Sequence, residues 1–140
     1  MINIFFEDTE ILDLHPEFFV SWFGEVCKQE GRVLGDINLI CCSDDYLLEI
    51  NKAHLDHDFY TDIITFDYSD DNISGDLFVS VQRVLDNSEN LKIDFMTELN
   101  RVVVHGVLHL LGYMDKLEAE KIAMTKAEDK YLKLIVPRET

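Results

Sequence analysis

The sequence predicts an α+β fold in which a small mixed β-sheet of about four strands packs against several helices. Four short runs rich in apolar or β-branched residues have the length of strands, and apolar residues at helical spacing occupy the stretches between them. A short polar link joins the last two runs, which predicts an antiparallel pair. The 140 residues contain no repeat and no low-complexity linker. We therefore expect a single domain, residues 1–140, large enough to bury a core.

The first third of the chain is predicted to form a strand, a helix and a second strand. Residues 2–6 (INIFF) make a short apolar run typical of a strand. Pro16 suits the first turn of a helix, and apolar residues recur at helical spacing up to Glu30, where Gly31 ends the pattern. Residues 33–42, which include the run DINLICC, are predicted to form a central strand.

A second helix is expected to follow directly. Ser43 and the two aspartates after it favour the start of a helix. Residues 51–60 are polar and lack a regular apolar pattern, so we expect a solvated loop there. His54 and His57 lie three residues apart in this stretch and could together hold a metal ion. No third ligand lies at a suitable spacing, which favours the loop.

The other two strands come next. Residues 61–66 (TDIITF) are predicted to form a strand because of their β-branched content. Residues 74–80 (SGDLFVS) form the other strand after a turn at residues 70–72. A helix is expected to begin at residues 81–85.

Two longer helices complete the predicted fold. We place the first at residues 96–111, with Asp94 or Thr97 as its cap, and the second at residues 117–134. The first helix carries an apolar stripe that faces the core, formed by Leu99, Val103, Gly106 and Leu110. The charged residues of the second helix are expected to form a solvated face.

The charge of the chain limits its classes of function. With 28 acidic and 12 basic residues, the formal net charge is −16 at pH 7, so most of the surface should repel polyanions. Strong non-specific binding of nucleic acid depends on lysine and arginine neutralising phosphates, and is therefore not expected. An enzyme that acts on RNA would need a bound cation, a local basic rim or a partner that holds the substrate.

The sequence also carries information about the compartment. It has no run of eighteen apolar residues, and its first residues lack a basic region followed by a cleavage site. We therefore expect neither a transmembrane helix nor a signal peptide. The cysteines Cys27, Cys41 and Cys42 are odd in number, and the two adjacent ones would face opposite sides of a strand. This pattern argues against a disulfide framework and predicts buried thiols in a protein of the reducing cytoplasm.

The clearest chemistry lies in residues 101–116, RVVVHGVLHLLGYMDK. His105 and His109 are four residues apart, so on a helix they lie on one face, one turn apart, where both can bind one cation. Gly112 can adopt the left-handed conformation that ends a helix, and the chain can then turn back and bring Asp115 towards the histidines. Two imidazoles, one carboxylate and an open fourth position are typical of a catalytic zinc site.

A simpler interpretation has to be weighed against a metal site. An isolated H-x-x-x-H pair on an apolar helix is more often two half-buried histidines. The glycine and the aspartate, which lie seven and ten residues after the first histidine, favour the metal site. We therefore predict one Zn²⁺ per chain, or another divalent ion, held by His105, His109 and Asp115 on a central helix in a zincin-like arrangement.

The motif HGVLHLLGY resembles the signature H-G-x-L-H-L-x-G-Y-D-H of the YbeY family. TDIITF is similar to the T-D-V-L-S-F segment of that family, and GDLFVS to its G-D-I strand, so the resemblance covers nearly the whole chain. It implies a metal-dependent, single-strand-specific endoribonuclease that acts in ribosomal RNA maturation and ribosome quality control. It further implies ribosomal RNA as the partner, and with it ribosomal proteins or an assembly GTPase, with no role for DNA or a membrane.

The chain departs from the family pattern at two places. The third histidine of the family signature falls at Asp115, which keeps a metal-binding side chain but adds a negative charge, so that the ion would acidify a bound water less. Many relatives carry Y-R-G-K-D between residues 51 and 61, where this chain places Leu55 opposite the arginine and His57 opposite the lysine. A cation for a phosphate is thus lost, and His57 would replace one only when protonated.

The resemblance and the motif together predict metal-assisted cleavage of an RNA phosphodiester in a cleft between the metal helix and the TDIITF segment. Asp62 and Asp76 are candidates for carboxylates that orient the histidine rings, with capping of turns at the strand ends as the alternative role.

The sequence leaves two other functions open. H-x-x-x-H with a third ligand also occurs in metallopeptidases, but their second motif residue is a glutamate that acts as general base, and here it is Gly106. The other alternative is a non-catalytic, ribosome-associated factor with a structural metal, which the acidity and the missing arginine favour.

Overall fold

A computed structural model describes residues 1–135, which form four strands and five helices. In chain order these are β1 (Ile2–Glu7), α1 (Pro16–Gln29), β2 (Val33–Cys42), α2 (Asp44–Leu55), β3 (Ile63–Asp67), β4 (Asn72–Ser80), α3 (Val81–Leu91), α4 (Phe95–Leu110) and α5 (Glu118–Leu132). The predicted α+β architecture with a four-stranded sheet is confirmed.

The sheet has the strand order β1-β2-β4-β3 and is mixed. The pairs β1–β2 and β2–β4 are parallel, and β3–β4 is antiparallel as predicted. β2 is an interior strand, and five of its last six residues are buried because helices cover both faces of the sheet. A main core involving α1, α4 and α5 lies on one face, and a smaller cluster formed with α2 lies on the other.

Helix α4 lies close against the edge of the sheet formed by β3 and β4. The predicted stripe is buried, and Val102, Val104, Val107 and Leu108 are buried as well, so most of the helix is surrounded. A Cβ atom added at Gly106 would lie 2.7 Å from Ile63 Cδ1 and 3.0 Å from Leu77 Cδ2. Glycine at this position therefore permits the close packing that sets α4, and the two histidines on it, beside β3.

One predicted loop is partly helical. Residues 51–55 continue α2, which ends at Asp56 in the left-handed conformation (φ 54°). Ser43 caps the start of α2 as predicted, because its Oγ accepts a hydrogen bond from the backbone N–H of Tyr46. The expectation of a loop from residue 51 was wrong because Asn51 is buried, and its side chain donates to the carbonyl oxygen of Phe59 at 2.8 Å. A polar residue at a buried helical position interrupts the apolar periodicity by which a helix is recognised in the sequence.

The remaining boundaries differ by only a few residues from those predicted. The strand expected at residues 61–66 lies at Ile63–Asp67, and α3 extends to Leu91. Asp94 holds the N-cap position of α4, but its side chain makes no capping hydrogen bond. The last helix lies within the predicted range 117–134.

The three cysteines are free and buried, as expected. Burial raises the pKa of the Cys27 thiol to about 11 and the pKa values of Cys41 and Cys42 to about 12. The thiols are therefore protonated at neutral pH and pack as small apolar side chains. No helix within residues 1–135 is long and apolar enough to cross a membrane.

Candidate metal centre

The turn after α4 brings Asp115 to the histidines. The backbone N–H of Tyr113 donates to Leu108 O at 2.9 Å, and that of Gly112 donates to His109 O at 3.0 Å, the two hydrogen bonds of a Schellman motif. Gly112 has φ 101°, a conformation that side chains oppose. The glycine predicted to end the helix thus reverses the chain at this point.

The side chains of His105, His109 and Asp115, called the triad below, converge on one point. The two Nε2 atoms are 3.0 Å apart, and Asp115 Oδ2 lies 3.2 Å from His105 Nε2 and 3.4 Å from His109 Nε2. Ligand atoms about 2.0–2.1 Å from a tetrahedral Zn²⁺ lie about 3.3–3.4 Å from one another, so these separations fit a single small ion. Each side chain is partly exposed, between 25% and 39%, which leaves one side of the group open.

The triad is the one group of three or more potential ligands that converges in this way within residues 1–135. His54 and His57 do not take part in it. The ring of His54 makes an edge contact with Phe66, and His57 stacks on Phe59. Both histidines thus contact aromatic rings, and neither belongs to a group of three potential ligands within residues 1–135.

Both histidine rings are oriented by an acceptor on their other nitrogen. Nδ1 of His105 lies 2.6 Å from Glu128 Oε2, and Nδ1 of His109 lies 2.9 Å from the carbonyl oxygen of Tyr113. Since a carboxylate and a carbonyl can only accept, the proton of each neutral ring belongs on Nδ1. The lone pairs of both Nε2 atoms then point into the triad, the tautomer that a metal ligand requires.

Glu128 was not predicted as part of the site. It comes from α5, whose charges were expected to form a solvated face. Glu118, Lys126 and Lys130 are indeed exposed, as are most charged residues of this helix. Glu128, however, is 7% exposed, and its other oxygen accepts a hydrogen bond from Arg101 Nη1 at 2.9 Å.

A signal for Glu128 was present in the sequence. It lies four residues after Met124 and three before Tyr131, both buried, so it occupies the apolar face of α5. A carboxylate on an apolar helical face needs a partner, and this one pairs with His105 and Arg101.

The two aspartates predicted to orient the rings do not do so. Asp62 lines the cleft beside His105 but makes no hydrogen bond to either ring within the described residues. Asp76 accepts a hydrogen bond from Asn38 Nδ2 at 3.0 Å. Strand alternation explains this placement: Gly75 and Leu77 on β4 face α4, so the side chain of Asp76 between them points to the opposite face of the sheet.

The surroundings of His105 favour its charged form. Burial lowers the pKa of His105, but the hydrogen bond and charge of Glu128, with the charges of Asp115 and Asp62, outweigh that effect and raise the pKa above its ordinary value. The same carboxylates would favour any cation that replaces the proton. Protons and metal ions therefore compete for this site.

The triad opens into a cleft of about 490 Å³. Residues of β3, including Ile63 and Thr65, form one wall, which agrees with the cleft predicted between the metal helix and the TDIITF segment. Leu55, His57 and Phe59 lie along its edge.

The cleft is poor in cations. Lys116 is the single lysine or arginine among its described lining residues, whereas Asp62, Asp67 and Asp115 are acidic. Leu55, which the motif comparison above places opposite an arginine of the family pattern, is 41% exposed. Arg101 lines an adjoining pocket together with Asp62, His105 and Asp115, but its guanidinium is paired with Glu128 and Asp129.

Comparison with known proteins agrees with this geometry. The family model described as "Endoribonuclease YbeY" matches residues 5–136. Proteins named endoribonuclease YbeY are similar over most of their length. The one from Flavobacterium psychrophilum is 47% identical over 83% of this chain and 84% of the relative. The one from Karelsulcia muelleri is 46% identical over 94% of both chains, and that from Phocaeicola vulgatus is 45% identical over 96% and 99%.

A solved structure has the same overall fold. The solution structure of TM1509 from Thermotoga maritima matches with a TM-score of 0.65 at 26% sequence identity, covering 95% of this chain and 87% of that one. The overall fold is thus one that a similar chain also adopts.

Proposed function

This chain belongs to the endoribonuclease YbeY family, and from this membership we propose that it is a metal-dependent endoribonuclease whose ion is held by His105, His109 and Asp115. The chain is thus a hydrolase that cuts RNA within the strand. We propose single-stranded ribosomal RNA as its substrate and maturation of that RNA as its role.

The observation that carries the metal assignment is the convergence of three electron-rich atoms. With both ring protons on Nδ1, the two Nε2 lone pairs and the Asp115 oxygen face one another at 3.0–3.4 Å. Such a group is stable only with a cation or a proton between its members. The donor set of two nitrogens and one oxygen fits Zn²⁺, and we propose this ion, one per chain.

The ion and the residues around it would have different roles in the reaction. When bound, the ion would supply Lewis acidity, lowering the pKa of a coordinated water and polarising a phosphoryl oxygen. Glu128 and the Tyr113 carbonyl hold the two rings in the required tautomer. Asp62, whose charge acts on His105 without a hydrogen bond, remains a candidate for a role in the cleft.

The geometry gives little support to a peptidase. In that mechanism a glutamate side chain after the first histidine takes a proton from water. Gly106 has no side chain to take that proton, and a longer side chain there would have to push aside the side chains of Ile63 and Leu77, whose ends an added Cβ would already press on. A purely structural metal is also less well supported, because the triad faces an open cleft instead of a closed core.

We further propose that the protein works in the cytoplasm on ribosomal particles, together with ribosomal proteins or an assembly GTPase. The net charge of −16 supports a partner that presents the RNA, because the surface by itself attracts polyanions poorly.

The decisive test compares cleavage of a labelled single-stranded RNA by the wild type, His109→Ala and His15→Ala, purified in parallel. His15 is a matched control, because it precedes α1 and pairs with exposed carboxylates outside the cleft. We expect cleavage by the wild type and His15→Ala only, with about one metal ion per chain in both and little in His109→Ala. Equal cleavage by all three would reveal a contaminating nuclease and refute the assignment, as would equal metal content.

A further inference from the structure

The cleft beside the triad has two stacked, exposed aromatic rings at its edge. The ring centroids of His57 and Phe59 are 5.1 Å apart with an interplanar angle of 20°. Both side chains are exposed, Phe59 by 55%, and both line the same cleft as the triad. We call this pair the aromatic shelf. Single exposed apolar residues are common on protein surfaces, but two stacked rings that line a cleft present a joint apolar face to whatever the cleft binds.

The aromatic shelf is held in place by a buried side chain. After α2 ends at Asp56, the backbone N–H of His57 donates to Asn51 O at 3.1 Å. The amide of Asn51, which is 2% exposed, donates to the carbonyl oxygen of Phe59 at 2.8 Å. One buried residue thus anchors the backbone at both members of the pair. A backbone fixed in this way reduces the ordering that the two rings have to undergo when a ligand binds.

The neighbouring Tyr60 differs from the aromatic shelf, because both its hydroxyl and its ring already have partners within the protein. The hydroxyl of Tyr60 donates to Asp45 Oδ1 at 3.0 Å, and the guanidinium of Arg83 lies over its ring, 5.5 Å from the centroid. Phe59 has only His57 stacked against it among the described aromatic contacts.

The charges in the cleft indicate which part of a nucleic acid the aromatic shelf would contact. Phosphates bind to lysine and arginine, and Lys116 alone offers that charge in the described lining, against three aspartates. The face of a nucleobase carries no net charge, and each of the four bases can stack on an aromatic ring. Away from the ion that would bind the scissile phosphate, the part of the cleft beside the aromatic pair therefore suits a base better than a phosphate.

We propose that the aromatic shelf binds one unpaired nucleobase of the RNA substrate by stacking on Phe59, and so positions the strand beside the triad. This inference rests on the proposed function and names a subsite of the same cleft. A base inside a duplex has both faces covered by its neighbours, so the aromatic shelf selects single-stranded RNA.

Binding is measured in the full chain carrying His109→Ala, so that cleavage does not interfere. The probe is a short single-stranded RNA, with a set in which one nucleotide at a time is abasic. Loss of one stacked base corresponds to about 5- to 150-fold weaker binding. We expect Phe59→Ala to weaken binding by a factor in that range, and Phe59→Trp to restore it.

The abasic set shows whether Phe59 and one base act on each other. One abasic position should weaken binding to the Phe59-containing protein and have little further effect in Phe59→Ala. Binding of double-stranded RNA should not change with Phe59→Ala. The slope of log affinity against log salt should be shallow and unchanged by Phe59→Ala, while Lys116→Gln should reduce it by about 0.7.

Tryptophan fluorescence gives a second readout. The chain has one tryptophan, Trp22, which is 5% exposed in the core, so Phe59→Trp adds a reporter in the cleft. RNA should quench the added tryptophan by stacking. In the matched control Phe5→Trp, the new ring lies at an exposed position of β1, at the opposite sheet edge from β3, and RNA should leave its emission unchanged.

The outcomes separate this inference from the proposed function. The proposed role of the aromatic shelf would be refuted if Phe59→Ala bound RNA as tightly as its parent protein. It would also be refuted if Phe59→Ala weakened the binding of single-stranded and duplex RNA equally, even if the wild type cleaves RNA. Absence of metal-dependent cleavage by the wild type, with the stacking results as expected, would refute the nuclease and leave a single-strand binding site.

Discussion

The substitution Glu128→Gln tests how α5 contributes to the metal centre. Glutamine has nearly the shape of glutamate but no charge and only one acceptor oxygen. In the structure both oxygens of Glu128 accept hydrogen bonds, from His105 at 2.6 Å and from Arg101 at 2.9 Å. One of these donors would face an amide N–H₂ after the substitution. The ring of His105 would therefore lose either its orientation or the negative charge that makes Nε2 a stronger ligand.

The size of the effect follows from the burial of this contact. Loss of a carboxylate that supports a histidine ligand weakens metal affinity about 10- to 100-fold, which corresponds to about 1.4–2.7 kcal/mol. We expect the upper part of this range because Glu128 is 7% exposed, so water cannot readily replace it. Arg101 keeps its 2.7 Å contact with Asp129, which limits the loss of stability.

The assay is a competition for Zn²⁺ against a chelator of known affinity, with Asp129→Asn as the control. Asp129 binds the same arginine but is 52% exposed and does not touch the histidine, so this variant should bind metal almost as the wild type does. A carboxylate that orients a histidine ligand and strengthens its donor nitrogen must change metal affinity measurably when its charge is removed. If Glu128→Gln binds Zn²⁺ within about threefold of the wild type, well below that range, the reasoning from geometry fails.

Three further predictions concern stability. In the metal-free protein the raised pKa of His105 means that the folded state holds a proton more tightly, so the free energy of unfolding should fall as pH rises from about 6.5 through that raised pKa. Denaturant titrations should show this fall in the wild type, and a His105→Gln variant with the same fall would contradict it. Burial raises the pKa of Glu98, which is 6% exposed and has one oxygen without a partner, so Glu98→Gln should raise Tm by about 2–4 °C at pH 8 in thermal scans. An unchanged Tm would refute the conclusion that the buried charge of Glu98 destabilises the folded state. Gly106→Ala should lower the free energy of unfolding by about 1–3 kcal/mol, because the added carbon would meet flexible side chains. Gly75→Ala should lower it by more, because the carbon added there would meet the rigid backbone carbonyl of Phe66. Equal losses in denaturant titrations would contradict the packing argument.

The fold could be predicted well where the pattern was local. The strands, the antiparallel pair β3–β4 and the position of α4 follow from runs and periodicities of a few residues, and the structure agrees with them. The stretch 51–55 was predicted wrongly because a polar residue, Asn51, occupies a buried position of α2, where its side chain donates to a carbonyl eight positions away. Such a partner does not change the local pattern, so only the folded chain shows it.

The candidate site divides in the same way. The sequence by itself determined the spacing of His105, His109, Gly112 and Asp115, because one helical turn and one glycine-dependent reversal are short-range geometry. Only the tertiary structure decided that Glu128 orients His105 across 23 residues and that Asp76 faces away from the metal site. These outcomes depend on how α5 and β4 pack against α4, and packing between distant segments is set by the shapes of whole surfaces, which no local spacing records.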